Sequence, residues 1–221
     1  MTERGATTGV LVEACVTTVD EAVGAARSGA RRLELCVDLD VGGFTPPLAL
    51  LDAVRAAVDI PVYCMARRAS GFMTTPGEAE AVARDVEALR GAGAPGVVVG
   101  FLAPDGRVDE AATRLAVDAA GGLPVTFHRA FDHAPDLFEA LETLAALGVG
   151  RVLTGGGPGA ARDHADTLAE LVARGAGRVE ILVGGRVRGD HVRHLVEYTG
   201  AREVHARAEG VDAVCRALPK T

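Results

Sequence analysis

Two short apolar runs in this sequence carry a glutamate followed two residues later by a cysteine: "LVEACV" from Leu11 with Glu13 and Cys15, and "RRLELCV" from Arg31 with Glu34 and Cys36. Three more runs add titratable groups, "IPVYCMAR" ending at Arg67, "LPVTFHRAF" with His128 and Arg129, and "EVHARA" with His205. Carboxylates and imidazoles held close together can divide general acid and base roles, because like charges and burial drive their pKa values apart. Two thiols at one level suit a soft ion such as Cu(I) better than a hard cation, although two ligands do not specify a metal. The competing reading is structural: buried carboxylates cost several kcal/mol unless paired. That reading makes Arg67 and the two histidines the partners of a charge network filling a polar core.

Each of these groups except Arg129, which lies at or beyond its strand's end, sits on the inward parity of a strand. Successive strand residues point to opposite faces. Val12, Ala14 and Val16 form an apolar set that sends Glu13 and Cys15 the other way, and Leu33, Leu35 and Val37 do the same for Glu34 and Cys36. By the same rule Val62, Cys64 and Ala66 face helices while Tyr63, Met65 and Arg67 face inward, as do Thr126, His128, Glu180, Leu182, Gly184 and His205. Cys64 therefore reads as core and Cys215 as part of the tail.

The elements that would position them follow from a repeated phrase. A small residue next to Gly closes a helical stretch, and a β-branched run begins two or three residues later, at Gly29, Gly93, Gly148, Gly175 and Gly200. Glycine past a helix end supplies the left-handed conformation that stops the helix, and the run after it has the length of a buried parallel strand. Two further strands open at Pro61 and Pro124, and Leu11 opens the first, giving eight. Between them lie amphipathic stretches with start signals: Thr18 with Glu21 and Thr75 with Glu78 as capping boxes, and Thr45 before Pro46 at a first helical turn. Eight alternating units without a G-x-G-x-x-G after the first strand predict an α/β fold of TIM-type, a (β/α)8 barrel with a shortened last helix. The expectation is a single domain over 1–221, with strand one beginning near 11 and a short C-terminal tail at 209–221 that leaves a gap a second subunit could cover. Homodimer or higher homo-oligomer is the matching expectation.

The barrel assignment gives these residues a place, since strands of such barrels keep their sites at their C-terminal ends. It also gives a role to the glycines after strands six and seven. Gly155, Gly156, Gly184 and Gly185 lie where barrels often hold phosphate through backbone N–H groups.

Bulk properties exclude other classes. The chain has 221 residues, a length that one barrel uses, and a net charge of −7 without a cluster of Lys and Arg, which argues against nucleic acid. No apolar run approaches the roughly 18 residues of a membrane span. The N-terminus has no signal-peptide core of about 7–15 apolar residues, so the expected location is cytoplasmic. Four irregularly spaced cysteines in a chain of this size are expected to be reduced.

Several segments together resemble the CutC copper-homeostasis family: "VEACVTTVDEAVGAARSGARRLELC", "GGFTPPLALLDAVRAAVDIPVYCMAR", "GVVVGFLAPDGRVD", "LPVTFHRAFD", "RVLTGG" and "EVHARA". The most specific is Pro124 to Asp132, and it adds Asp132 to Glu13, Glu34, Arg67, His128, Arg129 and His205 as a pocket residue. The resemblance implies a cytoplasmic TIM-type barrel and Cu(I) binding by Cys15 and Cys36. The alternative is an enzyme acting on a small sugar-like or phosphorylated metabolite in the polar barrel mouth. Departures from the family pattern are local. "MARRASGF" from Met65 is one residue shorter than usual, Arg186 stands where the pattern has Gly, and Arg207 stands where it has Ser.

Overall fold

The structure is a computed structural model that describes residues 9–219. Eight strands close into one parallel barrel in sequence order. They are β1 Leu11–Val16, β2 Arg32–Leu35, β3 Val62–Met65, β4 Val97–Val99, β5 Val125–Phe127, β6 Arg151–Thr154, β7 Glu180–Val183 and β8 Glu203–Arg207. The helices between them are α1 Val19–Arg27, α2 Leu48–Ala57, α3 Pro76–Gly91, α4 Glu110–Ala120, α5 Leu137–Ala146, α6 Ala165–Gly175, α7 Val192–Thr199 and α8 Val211–Ala217. The last is indeed short, at 7 residues. No helix among the described residues is long and apolar enough to cross a membrane.

Alternation along the strands produces two separate apolar layers, as the parity argument requires. Val12, Ala14, Val16, Leu33, Leu35, Val62, Cys64 and Ala66 pack outward with the helices in the large core. Cys15, Cys36, Tyr63, Met65 and Val98 form a small cluster of their own inside the barrel.

Local signals at helix starts differ in their outcome. Thr75 and Glu78 form a complete capping box at α3. Thr18 caps α1 through the amide of Glu21, but the Glu21 carboxylate turns back to the amide and hydroxyl of Thr17 at 2.6 and 2.9 Å, so the box is not reciprocal. Thr45 does not start a helix. Pro46 and Pro47 precede α2, and the Thr45 hydroxyl instead joins the Arg67 backbone to Asp85, tying the loop after β2 to the end of β3.

Register decides which inward groups meet. Across β1 and β2, Glu13 stands opposite Arg32 and Cys15 opposite Glu34; across β1 and β8, Glu13 stands opposite His205. The two Glu-x-Cys segments are therefore offset by two residues, the slant that closing a barrel imposes.

Candidate functional site

The lumen is stratified. At the N-terminal end Glu13, completely buried, accepts from the Arg32 Nε at one oxygen and from His205 Nδ1 at the other, the latter at 2.8 Å. Glu203 accepts from Arg32 Nη2 at 2.6 Å and Arg151 Nε at 2.7 Å, and both guanidinium groups sit over the Tyr63 ring at 5.3 and 5.5 Å. This layer is a satisfied charge network. Burial opposes the Glu13 charge, but the His205 hydrogen bond and Arg32 outweigh it and hold the carboxyl down at about 2. The partners expected from sequence need correction here. Arg32, on the same parity as Glu34, does what was assigned to Arg67.

Arg67 has a different task. Its guanidinium donates to the carbonyls of Val41, Gly43, Ser70 and Gly71 between the rings of Phe44 and Phe72, clamping the loops after β2 and β3. Its Nε finds no partner among the described residues.

Above the charge network, at the C-terminal mouth, lies a cavity of about 440 Å³. Its lining includes Cys15, Glu34, Arg67, His128, Arg129 and His205. Glu13 lies below it, and Asp132 is not in its wall. The Cys15 Sγ, a Glu34 carboxylate oxygen and a His205 ring nitrogen all fall within 4.8 Å of one another. The Cys36 Sγ lies 3.7 Å from that of Cys15, despite the register offset. Cys36 belongs to no such triad, being sealed beneath the loop after β2, where a Cβ on Gly43 would stand only 3.1 Å from its sulfur.

The chemistry of each group follows from its surroundings. Glu34 is 3% exposed, and its Oε2 has no partner among the described residues. Burial, opposed by His205 and reinforced by Glu13, pushes its carboxyl up to about 7. The hydrogen bond with Cys36, burial and the Glu34 charge raise the Cys15 thiol well above its usual value. His205 is raised as well: burial opposes its charge, but Glu34 and Glu13 prevail. Its Nδ1–H is committed to Glu13, which leaves Nε2 as the atom able to meet a ligand once deprotonated.

His128 is of the opposite kind. Burial and the Arg67 charge push it down to about 3, so it is neutral at physiological pH. Its Nδ1 accepts from the Ala130 amide at 3.1 Å, which places the ring proton on Nε2, and that atom is buried without a partner. Gly100, just past β4, makes room for the ring, because a Cβ there would clash with it. No motif pointed to Gly100; the inward parity of "GVVVG" was its available signal.

Asp132 is a structural hub rather than a lining residue. It accepts from Arg129 Nε at 2.6 Å, from the Gly155 amide at 3.0 and 3.1 Å, and from the Thr154 hydroxyl. These bonds revise the expected phosphate cradle. The Gly155 amide is taken by Asp132, that of Gly156 by Thr154 Oγ1, and that of Gly184 by the Thr154 carbonyl. Gly185 alone of the four keeps its N–H, since among the described residues neither it nor Arg186 donates a backbone hydrogen bond.

The CutC family profile matches residues 10–210. The chain belongs to the CutC family. A family protein CutC from Xanthomonas axonopodis pv. citri is 43% identical over 203 residues, covering 91% of this chain and 85% of the relative. The human copper homeostasis protein cutC homolog is 39% identical over 207 residues, covering 93% and 76%. The crystal structure of a CutC from Streptococcus agalactiae superposes with a TM-score of 0.83 at 27% identity, covering 90% of this chain and 98% of that one. Against the CutC pattern, Arg186 occupies a left-handed backbone position, φ 55°, that suits the usual Gly. For a residue with a Cβ this costs roughly 1–2 kcal/mol.

Proposed function

We propose that this CutC family member is a copper-homeostasis protein whose ligand is a Cu(I) ion, held at the floor of the barrel mouth by Cys15 together with Cys36, His205 and Glu34. The observation that carries the reading is the 3.7 Å separation of two buried thiols, one of them in a triad with an imidazole and a carboxylate. Sulfurs that close can share one ion, since metal–thiolate bonds are about 2.3 Å long. Soft thiols with an imidazole are the donor set that Cu(I) favours over hard cations. The unpartnered Glu34 oxygen is a further donor at the same spot. Glu13 supports the set as the carboxylate that orients a ligating histidine through its other nitrogen.

The reading places the protein in the cytoplasm, where thiols stay reduced. Cys15, Cys36, Cys64 and Cys215 are all free. It also favours a homo-oligomer, in which a second copy covers the barrel wall beside the seven-residue α8.

Anaerobic titration with Cu(I) against a chromogenic chelator tests it. One ion per chain is expected, with affinity rising with pH, because Cys15 and His205 must release protons to bind. Cys15→Ser, alone or with Cys36→Ser, is expected to abolish the site. Unchanged affinity in the double variant would refute it.

A further inference from the structure

The walls of the same cavity contain a charge arrangement that a Cu(I) site does not use. The chain as a whole has net charge −7, yet the lining gathers Arg67, Arg129, Arg186, Arg188 and Arg207 against a single carboxylate, Glu34. Two of these arginines are already committed, Arg67 to loop carbonyls and Arg129 to Asp132 and the Gly159 carbonyl. The other three stand on the loop after β7 and at the end of β8, and among the described residues none has an ion pair. Three exposed guanidinium groups without ion pairs on one cavity wall raise the local positive potential and favour an anion there.

A second observation concerns the backbone beneath them. Gly185 and Arg186 are both left-handed, at φ 100° and 55°, and among the described residues neither amide has an acceptor. Free successive N–H groups in a turn are a recurrent oxyanion cradle. The strained Arg186 thus brings a side-chain cation and a main-chain donor to one place. Three residues of the cavity wall also carry a buried polar atom without a partner among the described residues: Glu34 at Oε2, Arg67 at Nε, and His128 at the Nε2 that bears its proton as a donor. Buried polar atoms left unsatisfied are uncommon, and of these Glu34 Oε2 and His128 Nε2 lie toward the barrel axis.

We propose that the barrel mouth binds a small phosphorylated polyhydroxy compound, its phosphate held by Arg186, Arg188, Arg207 and the amides of Gly185 and Arg186, its hydroxyl-bearing end reaching Glu34 and His128. A phosphate fits better than a lone carboxylate because its three terminal oxygens can engage several guanidinium forks at once. A cavity of about 440 Å³ has the volume of a small-metabolite site. This site is independent of the copper reading, although the two share Glu34.

The test is calorimetric titration of the metal-free protein, with chelator present, using ribose 5-phosphate, ribose and inorganic phosphate as probes. Ribose 5-phosphate is expected to bind with a Kd below about 1 mM, and ribose and inorganic phosphate each about tenfold or more weakly. Arg186→Gly with Arg207→Ser is expected to weaken ribose 5-phosphate binding at least about tenfold. Because glycine suits the backbone at 186, the folded state is retained and thermal stability does not fall at that position. His128→Ala is expected to weaken ribose 5-phosphate while leaving inorganic phosphate unchanged. The proposal is overturned if neither phosphate compound binds at up to about 10 mM, or if the arginine double variant binds ribose 5-phosphate as well as the parent does. Ribose 5-phosphate binding no tighter than inorganic phosphate would overturn its hydroxyl-recognising half.

Discussion

Glu13→Gln is expected to cost about 3–5 kcal/mol of folding stability at pH 7, a fall in Tm on the order of 10 °C for a chain of this size. The substitution keeps the shape of the side chain but removes the charge that Arg32 and His205 share in a completely buried position. Arg32 retains Glu203, so the loss is carried mainly by the buried cations left facing a neutral amide. The pH dependence has a definite sign. With its pKa held at about 2, against an unperturbed 4.5, Glu13 stabilises the fold fully above pH 4.5 and loses that contribution as the pH falls toward 2. Glu34→Gln is expected to act in the opposite direction. Its carboxyl titrates at about 7, so ionisation burdens the folded state increasingly from pH 4.5 to 7. The neutral variant should therefore be more stable than the parent at pH 8, by up to about 3 kcal/mol, and equal to it at pH 4. Denaturant melts of both variants at pH 4 and 8 check the pair. A destabilised Glu34→Gln at pH 8 would mean that Glu34 is held as a satisfied carboxylate.

Asp132→Ala is expected to cost roughly as much, 3–5 kcal/mol, by a different route. The carboxylate ends three kinds of donor at once: the Arg129 guanidinium, the Gly155 amide and the Thr154 hydroxyl. Without it a buried amide is orphaned at the end of β6, and Arg129 loses the anchor that holds it beside Gly185. Native-state hydrogen exchange should show protection lost at Gly155 and retained in β1 and β2. Uniform destabilisation of all strands, with Gly155 still protected, would contradict this local role.

Much of this architecture was legible before any coordinates. The apolar residues that face the helices alternate so regularly in "LVEACV" and "RRLELCV" that the inward direction of Glu13, Cys15, Glu34 and Cys36 followed from period two alone. The glycine-terminated helices likewise counted the strands that close the barrel. Partnerships were not legible, because alternation fixes a face and says nothing about register. Only the observed slant puts Glu13 level with Arg32 and leaves Arg67 free to clamp loops. Arg32 and Glu203 shared the parity of Glu34 and His205, but charged residues at a strand's start read as its solvated end. The amides of Gly155 and Gly156 looked available because nothing in a sequence shows that Asp132 and Thr154 consume them. The unusual backbone of Arg186 was equally hidden, although the "GGR" after β7 marked where a glycine had given way.

The lumen thus has two levels with different tasks. A neutralised charge layer of Arg32, Arg151, Glu13 and Glu203 supports the barrel from below. Above it, groups held away from their ordinary protonation behaviour converge on an open cavity. The division lets a polar barrel interior be stable while its mouth stays open: the lower layer is paired, and the layer at the mouth carries polar atoms without partners among the described residues.

X-ray absorption at the copper edge of Cu(I)-loaded protein tests that upper level most directly. Two sulfur scatterers with two nitrogen or oxygen scatterers are predicted, falling to a single sulfur or to loss of the bound ion when Cys36 is replaced by serine. A first shell containing only nitrogen and oxygen, or one unchanged by replacement of Cys15, would contradict the convergence of thiol, imidazole and carboxylate on one ion.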